Sequence, residues 1–191
     1  MTDNFQLLNE PRLPWLDAEA LKQKFLQLSS EVHPDRTHNA TEAEKESANK
    51  RYAELNAAYN CLREPKDRLI HLLELELGSK PKDIQRIPPG TMDLFVEVGQ
   101  TCRDVDTFIA EKAQATSPLM KVQLFEKGME WTDKLNTLQQ KINAKKDELV
   151  EELKQLNSKW ETAPAIGSPD RPSQLPLERL EQIYRVFSYV S

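Results

Sequence analysis

Twelve prolines set the boundaries of everything regular in this chain: positions 11, 14, 34, 65, 81, 88, 89, 118, 164, 169, 172 and 176. Proline fixes its own φ, donates no backbone hydrogen bond and pushes the residue before it out of the α region. It therefore begins or ends a helix far more readily than it sits inside one. The stretches between the prolines are rich in good helix formers, with apolar residues spaced by three and four. No run alternates apolar and polar residues with a period of two. Five glycines in 191 residues leave little material for Gly-rich phosphate loops or tight β-hairpins. The expected fold class is all-α.

A short helix is predicted from Asn4 to Asn9. Asp17 then reads as an N-cap, with Ala18, Leu21, Phe25, Leu28 and Val32 on one face of the helix behind it. That helix should stop at Val32 or His33, ahead of Pro34. Residues 34–40 form a loop, and Thr41 with Glu44 makes a capping box that starts the next helix. Its apolar face is Ala48, Tyr52, Leu55, Ala58 (with Tyr59) and Leu62, and Pro65 ends it. Residues 66–77 form another helix, with Gly78 placed to cap its C-terminus.

Residues 79–90 hold three prolines and a glycine and read as a linker. Thr91 can cap a helix running to about Gln114. Ser117-Pro118 opens the next, and Leu119 to Trp160 contains no proline. A single helix over that stretch would be about 63 Å long at 1.5 Å per residue, with Gly128 and Lys145 as its weak points. Its stripe is predicted as Phe125, Met129, Thr132, Leu135, Leu138, Ile142, Leu149, Leu153, Leu156 and Trp160. Residues 162–174 are loop-like. A last helix, Leu175 to Val190, presents Leu177, Leu180, Ile183, Phe187 and Val190. The expected organisation is an N-terminal domain over 1–75, a linker over 76–90, and a three-helix domain over 91–191.

Composition excludes several functions. The net charge is 26 − 31 = −5, without the basic footprint of a nucleic-acid binder. No apolar run approaches a membrane span, and the first residues lack the pattern of a secretory leader; a cytoplasmic location is expected. Cys61 and Cys102 show no CxxC pairing and read as two buried thiols in a reducing compartment. His33, Asp35 and His38 would make a poor metal site on one loop, and His71 reads as a surface or interface residue. No nucleophile–base constellation is present. The expectation is a chain with no catalytic residues, no metal and no cofactor.

His33-Pro34-Asp35 is the sharpest motif. It follows a helix ending F-x-x-L-x-x-x-V and precedes one carrying L-N-A-A-Y-N-C-L at 55–62, and the chain opens with N-F-Q-L-L at 4–8. In this setting residues 1–75 resemble a J domain, a helical hairpin whose HPD loop engages DnaK-type chaperone ATPases and triggers their hydrolysis. The resemblance implies a regulator of an enzyme, with chaperone contacts at His33, Pro34, Asp35, Lys22, Lys24 and Arg36. The basic face common in that family is thin here: Leu26, Gln27 and Ser30 stand where further basic residues are usual.

Beyond the hairpin, P-K-D-R-L-I-H-L-L-E-L-E-L-G at 65–78 and M-D-L-F-V-E-V-G-Q-T-C-R-D-V at 92–105 resemble the HscB family, the J co-chaperones of iron–sulfur cluster assembly. That resemblance implies a C-terminal three-helix bundle that delivers an IscU-type scaffold to an HscA-type chaperone. The implied client face is Phe95, Val96, Gly99, Gln100 and Arg103. Gly99 replaces a large apolar residue of the family pattern, and Gln100 and Arg103 replace acidic ones. The alternative reading is a J-domain adaptor that brings a different protein client to a DnaK-type chaperone.

Overall fold

The computed structural model describes residues 2–33, 41–81 and 90–190, and every regular element among them is a helix. They are α1 (Asn4–Leu7), α2 (Ala18–Glu31), α3 (Glu42–Arg63), α4 (Pro65–Leu77), α5 (Met92–Ala113), α6 (Pro118–Glu161), α7 (Arg171–Gln174) and α8 (Leu177–Val190). The all-α fold class follows. Among the described residues no helix is long and apolar enough to cross a membrane. Two compact units emerge: Met1–Ile84 with Val150–Tyr189, and Gln85–Leu149 with Val190.

In the first unit, α1, α2 and α4 pack on α3. The caps follow the sequence. Asp3 accepts from the Phe5 and Gln6 amides at 3.0 and 3.2 Å, and Asp17 from Ala20 at 2.8 Å. Thr41 and Glu44 form the reciprocal box, and the Thr41 hydrogen bonds hold the Glu44 carboxyl below its ordinary pKa. α1 stops two residues short of the predicted Asn9, because Asn9 takes a left-handed φ of 54° that asparagine tolerates. The Glu10 amide then donates to the Phe5 carbonyl. Pro65 ends α3 and is itself the first residue of α4, where its missing N–H costs nothing. Gly78 closes α4 at φ 71°, with its amide on Glu74 O.

Phe5, Leu8, Leu21, Leu55, Ala58, Leu62, Leu69, Leu72 and Leu73 are buried. Arg68 is buried with them. Its Nε donates to Pro14 O at 2.9 Å and its NH1 to Leu62 O at 2.6 Å, the latter a carbonyl orphaned at the end of α3. Burial lowers its pKa to about 10, so it stays cationic at neutral pH. His71, which the sequence places at the surface or at an interface, is not at the surface: it is buried, stacks on Phe5, and accepts from the Asn4 amide at Nε2.

The C-terminal part of this unit meets its N-terminal part through paired polar contacts. Trp15 N donates to Asn157 Oδ1 and Asn157 Nδ2 to Trp15 O, both at 2.9 Å. Arg171 clamps Glu76. Leu153, Trp160, Leu175, Leu180, Ile183, Val186 and Phe187 are buried.

The second unit is an antiparallel pair of α5 and the first part of α6, with ion pairs Lys127–Glu111 at 2.9 Å and Lys141–Glu97 at 2.6 Å. α6 runs unbroken through Gly128 and Lys145. Its packed stripe differs from the predicted one at the start. Phe125 and Met129 are 68% and 59% exposed, while Gly128 lies under Phe108, whose Cζ would stand 3.5 Å from a Cβ added there. Trp131 tilts against the same ring. The cause is register: Trp131 and Gly128 stand seven and ten residues before the buried Leu138, while Leu135, also in the predicted stripe, is 42% exposed.

Candidate functional site

The hairpin that ends in His33 is built on aromatic contacts. Phe25 of α2 stacks on Tyr59 of α3 with centroids 4.5 Å apart, and the Arg63 guanidinium lies over the other partner, Tyr59, at 5.8 Å. α2 ends at Glu31, Val32 caps it, and His33 follows. The His33 ring stands nearly perpendicular to that of Tyr52, at 84° and 5.7 Å between centroids. Edge-to-face geometry of this kind is favourable and limits ring rotation. Tyr52 thus does more than fill the α3 face to which the sequence assigned it. Pro34, Asp35 and Arg36 lie outside the described residues, as does His38.

Neither candidate lysine of α2 projects as an isolated cation. Lys22 Nζ lies 3.8 Å from Glu19. Lys24 Nζ donates to Asn9 O at 2.8 Å and lies 3.5 Å from Glu10. Sequence reasoning did not single out Glu10 or Glu19; the i,i+3 spacing of Glu19 and Lys22 carried a signal, while the Glu10–Lys24 contact depends on how α1 turns back.

On α5, the structure brings three of the five candidate client-facing residues together. Arg103 NH2 donates to Gln100 Oε1 at 2.8 Å, and Gln100 Nε2 donates to Asp104 Oδ1 at 2.7 Å. Arg103 NH1 lies 3.7 Å from the place a Gly99 side chain would begin. The missing side chain at Gly99 therefore gives the guanidinium its place, and Asp104, unremarked in the sequence, anchors the chain of bonds. Val96 is 60% exposed, so it is not a core residue of α5. Phe95 is half-buried. The buried face of the helix lies instead at Thr101 and Phe108.

The two thiols are not both buried. Cys102 is exposed and Cys61 half-buried, because Cys102 falls one step beyond the packed position Thr101. Burial raises the Cys61 thiol pKa, and its Sγ donates to Asp67 O at 3.6 Å. Among the described residues no group of three or more His, Cys, Asp or Glu is placed to hold a metal ion.

With this geometry in hand, comparison with known proteins is informative. Residues 4–71 match the DnaJ domain family; they are a J domain. Two solved structures share the fold of the chain. One is the chaperone HscB from Vibrio cholerae, at 18% identity and a TM-score of 0.60, covering 99% of this chain and 91% of that one. The other is the human co-chaperone protein HscB, at 19% identity and a TM-score of 0.52, covering 100% and 79%. The chain is thus a J domain followed by an HscB-like helical portion.

Proposed function

From a J domain set in an HscB-like fold, we propose that this chain is an HscB-type co-chaperone: it stimulates ATP hydrolysis by a DnaK/HscA-type chaperone and delivers an IscU-type iron–sulfur scaffold to it. The observation that carries the reading is the J-domain match over residues 4–71, with His33 leaving α2 against Tyr52. His33, Pro34 and Asp35 address the ATPase, aided by Lys22, Lys24 and Arg36. An imidazole and a carboxylate on either side of a proline offer a partner two polar groups of different charge, and proline is restricted in its own φ. Reaction chemistry then belongs to the partner, and this chain acts as a regulator in the cytoplasm.

The functional division is 1–75 for the ATPase, 76–90 as linker and 91–191 for the client. On the client portion, Phe95 and Val96 supply apolar contact. The Arg103–Gln100–Asp104 chain supplies hydrogen-bonding groups, with the Arg103 guanidinium seated over Gly99.

The test combines a chaperone ATPase assay with capture of a purified IscU-type scaffold. Stimulated hydrolysis and a longer stay of the scaffold on the chaperone are expected. Stimulation without any hold on the scaffold would leave the alternative of an adaptor for a different client. That alternative has its own support in Gly99, Gln100 and Arg103, which depart from the family pattern.

A further inference from the structure

The outward side of α2 carries its charges in compensated form. Lys24 is tied to the turn after α1 by the Asn9 carbonyl at 2.8 Å and by Glu10 at 3.5 Å. The Glu10 side chain is only 15% exposed, and its amide is fixed on Phe5 O. This acceptor pair is therefore held in place by the left-handed turn at Asn9. Glu19 takes Lys22 on one oxygen and Gln23 on the other, at 2.9 Å. From Asp17 to Glu31, together with Glu10, the formal count is two lysines against Glu10, Asp17, Glu19 and Glu31, or 2 − 4 = −2.

Exposed ion pairs add little to stability, but they cancel the field that either partner would project. Beyond a Debye length, ~10 Å at 0.1 M salt, nothing of such a pair is felt. Asp17 and Glu31 stand at the two ends of the helix, and between them the groups left for contact beside the pairs are uncharged. Leu26 is 48% exposed, well off the face on which Leu21 is buried. Beside it runs an open groove lined by Glu10, Ala20, Gln23, Lys24, Leu26 and Gln27. In that groove the charged groups Glu10 and Lys24 face each other.

We propose that Glu10 and Glu19 are specificity-determining residues of the chaperone-facing surface. By holding Lys24 and Lys22 in internal pairs, they temper the pull of these lysines and leave Leu26 and its neighbouring glutamines as the larger part of the contact. Docking then selects a DnaK-type ATPase whose facing surface is uncharged rather than acidic. The inference rests on the co-chaperone reading above. It turns the thin basic face from a deficit into a selection device: long-range charge sets association rate and partner choice, and here the attraction that the lysines would supply is cancelled from within.

The experiment is a single-turnover ATPase assay against each DnaK-type chaperone of the source organism, at several salt concentrations. The full chain should stimulate its chaperone with less than about a twofold change between low and moderate salt. Glu10→Gln with Glu19→Gln brings the count to zero. This variant should gain about threefold or more at low salt on chaperones with acidic docking surfaces, and lose the gain as salt rises. Leu26→Ser should lower stimulation about tenfold at every salt concentration. Circular dichroism melts confirm that each variant is folded, and Glu19→Gln alone serves as a second probe should Glu10→Gln unfold; it frees Lys22 and should show a smaller gain of the same salt dependence. Steep salt dependence in the wild type, or a Leu26→Ser variant with full activity, overturns the inference while leaving the co-chaperone function standing. Failure to stimulate any chaperone overturns both.

Discussion

Arg171 and Glu76, 95 residues apart in sequence, meet in a bidentate pair with Nε on Oε2 at 2.8 Å and NH2 on Oε1 at 2.9 Å. The two side chains are 7% and 2% exposed. Arg171 NH1 also donates to Pro164 O at 2.7 Å. One guanidinium thus ties the proline-rich segment after α6 to the end of α4. A buried pair gains little net energy over a well-packed apolar substitute, but removing one member strands a charge. Arg171→Met should cost about 3–5 kcal/mol in urea unfolding of the full chain and expose residues 162–170 to limited proteolysis. The double variant Arg171→Met with Glu76→Met should recover most of the loss.

Two glycines should respond to alanine with opposite signs. Gly128 lies inside α6, about three turns from its start, and a new Cβ would meet Phe108 Cζ at 3.5 Å, ordinary contact. Gly128→Ala should therefore stabilise by about 0.5–1 kcal/mol through helix propensity. Gly78 caps α4 at φ 71°, where a side chain is strained although the space is open. Gly78→Ala should destabilise by about 1 kcal/mol. Thermal melts of the two single variants check both signs.

His71 makes stability depend on pH. Its Nε2 accepts the Asn4 amide proton, which only an unprotonated nitrogen can do, and burial lowers its pKa below 6.5. The unfolded chain takes up the proton near the ordinary value while the folded chain does not. The stabilisation is therefore complete above about pH 6.5 and is lost as pH falls toward the lower folded-state value. Unfolding free energies measured from pH 8 to 5 should decline for the wild type. His71→Gln, whose amide oxygen can still accept from Asn4, should flatten that part of the decline.

Local rules made much of the fold legible. Asp17, Thr41 with Glu44, Ser117-Pro118 and Gly78 each act through partners within a few residues, and each sits where a cap was expected. What escaped was non-local. The burial of His71 against Asn4 and Phe5, the Trp15–Asn157 exchange and the Arg171–Glu76 clamp join segments whose proximity no spacing encodes. The start of the α6 stripe escaped for a subtler reason: Phe125 and Met129 look like core by hydrophobicity, but a helix packs by register, and register puts a glycine under Phe108. At the site, the His33 position was legible from motif and context. The internal pairing of Lys24 was not, because it depends on the left-handed turn at Asn9.

On the proposed function, this chain drives a partner's ATPase through the residues that follow α2, of which His33 is the first. The most direct measurement is the single-turnover ATPase rate of the DnaK-type chaperone with wild type and with His33→Gln, the folds matched by circular dichroism. The rate should rise by about tenfold or more with wild type and return to the chaperone's basal value with His33→Gln. Stimulation that survives the substitution intact would contradict the proposed function.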